Sequence, residues 1–123
     1  MKENTIICVS ESRRNPNRYE NLSMCEQYAK ETGCNVHGIF RFQYGDFNQS
    51  KKDLIEYLEK CSNVKTLIIS NFTRISRRID RVMDFLHDLQ ARGISVFDVR
   101  LVQDITMTDI PILCLTKSIN KKE

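Results

Sequence analysis

The sequence predicts an α/β fold of three layers, a mainly parallel β-sheet with helices on both faces. Two observations predict it. Short apolar runs rich in β-branched residues alternate with longer segments whose apolar residues recur at helical spacing. Strand, helix and strand in that order make a crossover connection, which joins parallel strands. At 123 residues the chain holds one core rather than two.

Thr5 to Val9 is the first buried strand. From Arg18 to Thr32 the residues Leu22, Cys25, Tyr28 and Ala29 fall on one helical face, and Gly33 supplies a C-terminal cap. Val36 to Phe42 reads as the second strand. Ser50 is placed to cap a second helix with Leu54, Ile55, Leu58 and Cys61 on its apolar face. Val64 to Ser70 is the third strand. Ser76 can cap a third helix striped by Ile79, Val82, Met83, Leu86 and Leu89, which Gly93 ends. Ile94 to Val99 is the fourth strand. In the tail, Thr108-Asp109 before Ile110-Pro111 has the form of a helix start, while Ile112 to Leu115 has the form of a last strand. Residues 1–105 therefore read as the domain and 106–123 as a C-terminal tail.

A hydrophobic share of 41% and a charged share of 28% exclude disordered and fibrous classes. No apolar run approaches the roughly 18 residues of a membrane span, and the N-terminal apolar stretch is too short for a signal peptide. The expectation is a cytoplasmic protein without a membrane partner. Cys8, Cys25, Cys34, Cys61 and Cys114 are odd in number and form no C-x-x-C pair. Neither a disulfide framework nor a zinc site is expected, and most should be buried as small hydrophobes.

The net charge of +3 does not by itself demand nucleic acid. Its distribution says more. Arg13, Arg14 and Arg18 cluster near the start, and Arg74, Arg77, Arg78 and Arg81 cluster in the middle. Asp80, Asp84 and Asp88 come next at helical spacing and are placed to neutralise part of the second cluster, which then reads as a solvated helix face.

In open parallel sheets, ligands gather outside the carboxyl ends of the strands. The first strand delivers Ser10 there, with Arg13 and Arg14 behind it. The third delivers Ser70, Asn71, Thr73 and Arg74, with Arg77 and Arg78 beyond, and the second leads to Lys51 and Lys52. A hydroxyl among several cations suggests phosphate chemistry, with guanidinium groups gripping oxygens in pairs. The bland alternative is capping hydroxyls and surface arginines. His37 lies inside a strand and His87 on the polar side of a helix, which argues against a Ser–His–acid hydrolase. The glycine-rich phosphate loops are missing, and no cofactor or metal is called for. One competitor is a small cysteine phosphatase, because Cys8 and Arg14 have C-x5-R spacing after a strand.

Val9-Ser10 after the first strand, Lys51-x-x-Leu54 opening the second helix, and Thr73-Arg74-Ile75-Ser76-Arg77 after the third strand have a familiar order and spacing. Over roughly residues 4–100 the chain resembles the N-terminal catalytic domain of the serine recombinases, the resolvase and invertase family. The third stretch is similar to that family's Asp-Arg-Leu-Ser/Gly-Arg signature. The resemblance implies a domain for site-specific DNA strand cleavage and rejoining through a 5′-phosphoserine link, without metal. By position it implies Ser10 as nucleophile and Arg74 and Arg77 as phosphate clamps; Lys51, Arg13, Arg14 and Arg78 are the further phosphate or DNA contacts expected from the cationic edge itself. It also implies DNA as substrate and dimers that pair into tetramers.

The chain departs from the family at several of these positions. Cys8 replaces an arginine, Phe42 and Thr73 replace acids, Lys51 replaces an arginine, and Arg14 stands where glutamine is common. A lost oxyanion-type contact costs on the order of 2.7–4 kcal/mol in the transition state. The expectation is a retained fold with weakened chemistry. The alternative is a non-catalytic module that associates with a full-length recombinase or with itself. The family continues into a long dimerisation helix, which residues 106–123 would begin, and a helix-turn-helix domain. Without these, DNA contact is expected to be weak and salt-sensitive.

Overall fold

A computed structural model describes residues 4–11, 18–43, 45–61 and 63–112. In chain order they form β1 (Asn4–Glu11), α1 (Arg18–Thr32), β2 (Asn35–Gln43), α2 (Phe47–Lys60), β3 (Val64–Ile69), a 3₁₀ turn (Phe72–Arg74), α3 (Ile79–Ala91), β4 (Ser95–Asp98) and β5 (Gln103–Ile105). The sheet order is β2-β1-β3-β4-β5. β1 pairs in parallel with β2 and β3, β3 with β4 likewise, and β5 closes the edge antiparallel to β4. The three layers and the mainly parallel sheet agree with the sequence.

Strand alternation divides the sheet's side chains between two apolar layers. Ile6, Cys8, Phe42, Leu67, Ile69 and Val96 pack with α2 and α3 through Leu54, Leu58, Val82, Phe85, Leu86 and Leu89. Ile7, Val9 and Ile68 pack with Cys25 and Ala29 of α1, where Tyr28 also stacks on Phe97 with ring centroids 4.3 Å apart. Gly33 and Gly93 follow α1 and α3 with φ of 69° and 73°, the left-handed conformation that a helix C-terminus favours.

Several local expectations change. α2 starts three residues before Ser50, with Asp46 as its N-cap. Ser50 lies inside the helix, where its hydroxyl accepts from the Gln43 N–H (3.0 Å) and donates to the Gln43 carbonyl (3.3 Å). It pins the helix to the end of β2 instead of capping it. Ser76 likewise makes no helix cap: its hydroxyl accepts from the Arg78 N–H at 3.1 Å, one step ahead of α3. Ile79, the first residue of α3, is 45% exposed, and Phe85, outside the expected stripe, is buried. Cys8 and Cys25 are buried, Cys34 and Cys61 only half-buried, and Cys114 is outside the described residues.

β5 has no counterpart among the strands read from the sequence. Its three residues are two exposed polar groups and one buried isoleucine, too short for a period-two signal. Residues 109–112 are helical, as the Thr108-Asp109 reading expects. Asp109 caps backwards, accepting from the Thr106 N–H (2.8 Å) and hydroxyl (3.0 Å). Ile110 is fully buried in the α2/α3 layer, so the chain stays on the core past Ile105.

Candidate functional site

β1 lies next to β3, so the ends of both strands open on the same edge of the sheet. β1 outlasts that pairing. Its ladder with β3 ends at Cys8↔Ile69, whereas its ladder with β2 continues through Ser10↔Phe42 to Glu11↔Gln43. Ser10 therefore projects beyond the end of β3. It shares a strand face with Ile6 and Cys8, the face covered by α2 and α3, and is 4% exposed.

After β3 the chain turns through Asn71 into the 3₁₀ helix that carries Arg74. Three polar groups converge there on the carboxylate of Asp98, the last residue of β4, which is fully buried. The Phe72 N–H donates at 2.8 Å, the Asn71 side-chain amide at 3.1 and 3.3 Å, and the Leu101 N–H at 3.0 Å. The Asn71 side-chain Oδ1 in turn accepts from the Thr73 N–H (3.3 Å) and from the Thr73 hydroxyl. Burial raises the Asp98 pKa, and the hydrogen bonds from Leu101, Phe72 and Asn71 oppose that rise. Asp98 thus fixes the turn bearing Arg74 and the turn leading to β5 at once. No motif singles it out; an acid closing an apolar strand in Ser95-Val96-Phe97-Asp98 is the available signal.

The cations fall into different environments. Arg74 is half-buried and Arg77 exposed. Arg78 forms an ion pair with Asp80 through two nitrogens, at 2.7 and 3.1 Å. Arg81 lies over the Phe47 ring, 5.6 Å from its centroid. Lys51 is bound to α3: its ammonium pairs with Asp84 and, at 2.6 Å, with Asp88. Burial lowers the Lys51 pKa, but the hydrogen bonds to the two aspartates outweigh it and raise the pKa. Asp84 and Asp88 therefore serve a lysine on α2, whereas helical spacing alone sets them against the arginine cluster. Arg13 and Arg14 are outside the described residues.

The substituted positions are built into the fold. Cys8 is a core residue, and Phe42 is fully buried with its ring edge-on to Phe47 and Phe85, centroids 5.9 and 5.7 Å away. Thr73 is half-buried and bonded to Asn71. Burial also pushes the Cys8 thiol far above its usual range, and the neighbouring Cys25 adds to this. A phosphatase nucleophile must be a thiolate, a form that the burial of Cys8 disfavours, which counts against the C-x5-R reading. His37 and His87 are exposed. Among the described residues no group of His, Cys, Asp and Glu is arranged to hold a metal ion, and no helix is long and apolar enough to cross a membrane.

The fold has close counterparts among solved structures. The N-terminal catalytic domain of TP901-1 integrase superposes with a TM-score of 0.74 at 16% identity, covering 98% of each chain. A resolvase family site-specific recombinase from Streptococcus pneumoniae gives 0.69 at 15% identity, over 98% of this chain and 89% of that one. The C-terminal catalytic domain of ISC1926 TnpA, an IS607-like serine recombinase, gives 0.65 at 16% identity, over 78% and 68%. No curated protein matches the sequence. The family model "Resolvase, N terminal domain" matches residues 9–118, nearly the whole chain from Ser10's strand through the third helix and beyond, and with it this protein belongs to the resolvase family as a serine-recombinase catalytic-type domain.

Proposed function

We propose that the chain acts on DNA phosphodiesters by the strand-exchange chemistry of its family, with Ser10 as nucleophile, Arg74 and Arg77 as phosphate clamps, and strongly attenuated turnover. The observation that carries this reading is topological. β1 and β3 are adjacent, Ser10 runs past the end of their ladder, and the Asp98-anchored turn holds Arg74 on the same edge.

In the cleavage step, the Ser10 Oγ bonds to phosphorus and the bond from phosphorus to the 3′ oxygen breaks. The serine proton ends on that oxygen, leaving a 3′ hydroxyl and a 5′ phosphoserine ester, and rejoining is the reverse. The arginines offer planar pairs of donors to the charge that gathers on the equatorial oxygens.

Attenuation is a consequence of the residues around Ser10. Where the family carries an arginine and an acid, this domain has Cys8 and Phe42 in its core, and Lys51 is already paired with two aspartates. Removing one such contact slows related chemistry by about 10²–10³. DNA contact and self-association into dimers or tetramers are proposed as weak, and the work as cytoplasmic, in a bacterial or mobile-element setting.

The test is to graft residues 1–123 onto the DNA-binding portion of an active relative and offer a supercoiled plasmid with that relative's sites. A covalent protein–DNA adduct on a denaturing gel, lost in Ser10→Ala, supports the reading. If no adduct forms while DNA binding is intact, the domain is instead a binding module for a recombinase or for its own copies.

A further inference from the structure

α2 leaves the carboxyl end of β2 and α3 comes after the turn that ends β3, so both helices start at the edge that carries Ser10. Lys51 is in the second turn of α2. Asp84 is in the second turn of α3, and Asp88, four residues on, shares its helix face. The Lys51 side chain is half-buried, at 20% exposure, and its ammonium bonds to a carboxylate oxygen of each. An ammonium has three donors, so two are taken from within the protein. The cluster of one cation and two anions carries a net negative charge, which repels an approaching phosphate. Asp84 is more than half exposed and Asp88 is 29% exposed, so water reaches the pair and the contact can open.

On the reading that this edge takes DNA phosphates, we propose that Asp84 and Asp88 form an internal clamp that holds Lys51 off DNA, the carboxylates occupying the donors that phosphate oxygens would otherwise use. The clamp regulates the site: DNA gains the Lys51 contact only when the α2–α3 ion pairs give way. It also accounts for a lysine at this position. A compact ammonium on a flexible stem can swing between two acids and a phosphate, whereas a planar guanidinium is held in one bidentate geometry.

The experiment is a salt titration of the chain's affinity for a short mixed-sequence duplex. Asp84→Asn/Asp88→Asn should tighten binding and steepen the slope of log K against log salt by about 0.9, the increment for one further neutralised phosphate. Adding Lys51→Ala should abolish that extra slope. Glu56→Gln/Glu59→Gln, which removes two exposed acids elsewhere on α2, controls for net charge and should give no Lys51-dependent gain. Asp84→Asn alone serves as a milder variant if the double substitution disturbs folding. A gain that survives Lys51→Ala, or an unchanged slope, overturns the clamp. Arg74→Ala/Arg77→Ala tests the underlying reading separately: unweakened binding there counts against these arginines as the DNA contact but leaves the Lys51 comparison decisive. Failure of every variant to bind the duplex overturns both.

Discussion

The backbone N–H of Phe72 donates a 2.8 Å hydrogen bond to the carboxylate of Asp98, joining the turn that carries Arg74 to the end of the neighbouring strand. Asp98→Ala leaves this N–H, the Leu101 N–H and the Asn71 amide without their buried acceptor. Each orphaned donor costs about 1–3 kcal/mol, so a net loss on the order of 3 kcal/mol is expected in a urea melt. Hydrogen exchange should speed up at Phe72 and Thr73 before it does in α1. An unchanged midpoint would show that the carboxylate is not what holds the turn.

Asp98 also gives the fold a pH signature. Its folded pKa is raised above the ordinary 3.8, so its charged form is disfavoured by folding. The protonation-linked part of its contribution is complete below about pH 4 and is lost as pH rises through the raised value. The melting temperature of the native protein minus that of Asp98→Asn should therefore fall as pH is raised from about 4 to 7. A difference that grows over that interval would contradict the assignment.

Gly38 on β2 lies against Tyr57 of α2. A Cβ at position 38 would stand 2.3 Å from the tyrosine hydroxyl oxygen but 3.7 Å from the ring carbon behind it. Gly38→Ala should destabilise by about 1–3 kcal/mol through overpacking, and Tyr57→Phe should relieve most of that cost. Chemical denaturation of the two single variants and the double variant measures the coupling. Simple additivity would place the clash elsewhere.

The substituted family positions differ in how they accept reversion. Phe42→Asp removes a ring wedged between Phe47 and Phe85 and buries a carboxylate in its place. A cost above about 4 kcal/mol is expected, enough to unfold most of the sample in far-UV circular dichroism. Thr73→Asp, at a half-buried surface turn, should leave the spectrum native. If Phe42→Asp stays folded, the core around position 42 is roomier than its packing implies.

The alternation of strands and helices makes the parallel layers legible in the sequence, because β1, β3 and α3 each carry a clear apolar period. The features that escape it depend on contacts distant in sequence. β5 exists because β4 offers it an edge, and Ser50 is a pin rather than a cap because Gln43 is within its reach. Within the proposed site, Ser10, Arg74 and Arg77 are readable from the segments that leave β1 and β3. Lys51 is readable as a cation but not as one paired with Asp84, 33 residues away, and with Asp88 beyond it, and Asp98 gives only the faint signal of an acid closing a strand. Periodicity reports which face is buried; it does not report which charge finds which partner.

The proposal of a recombinase-type edge with suppressed turnover is open to one direct measurement. This is the single-turnover rate of adduct formation by the grafted protein, beside the active relative under the same conditions. The expected result is a Ser10-dependent adduct formed at least about 10²-fold more slowly, the loss for one missing phosphate contact. An adduct formed as fast as the relative's, or one untouched by Ser10→Ala, would contradict it.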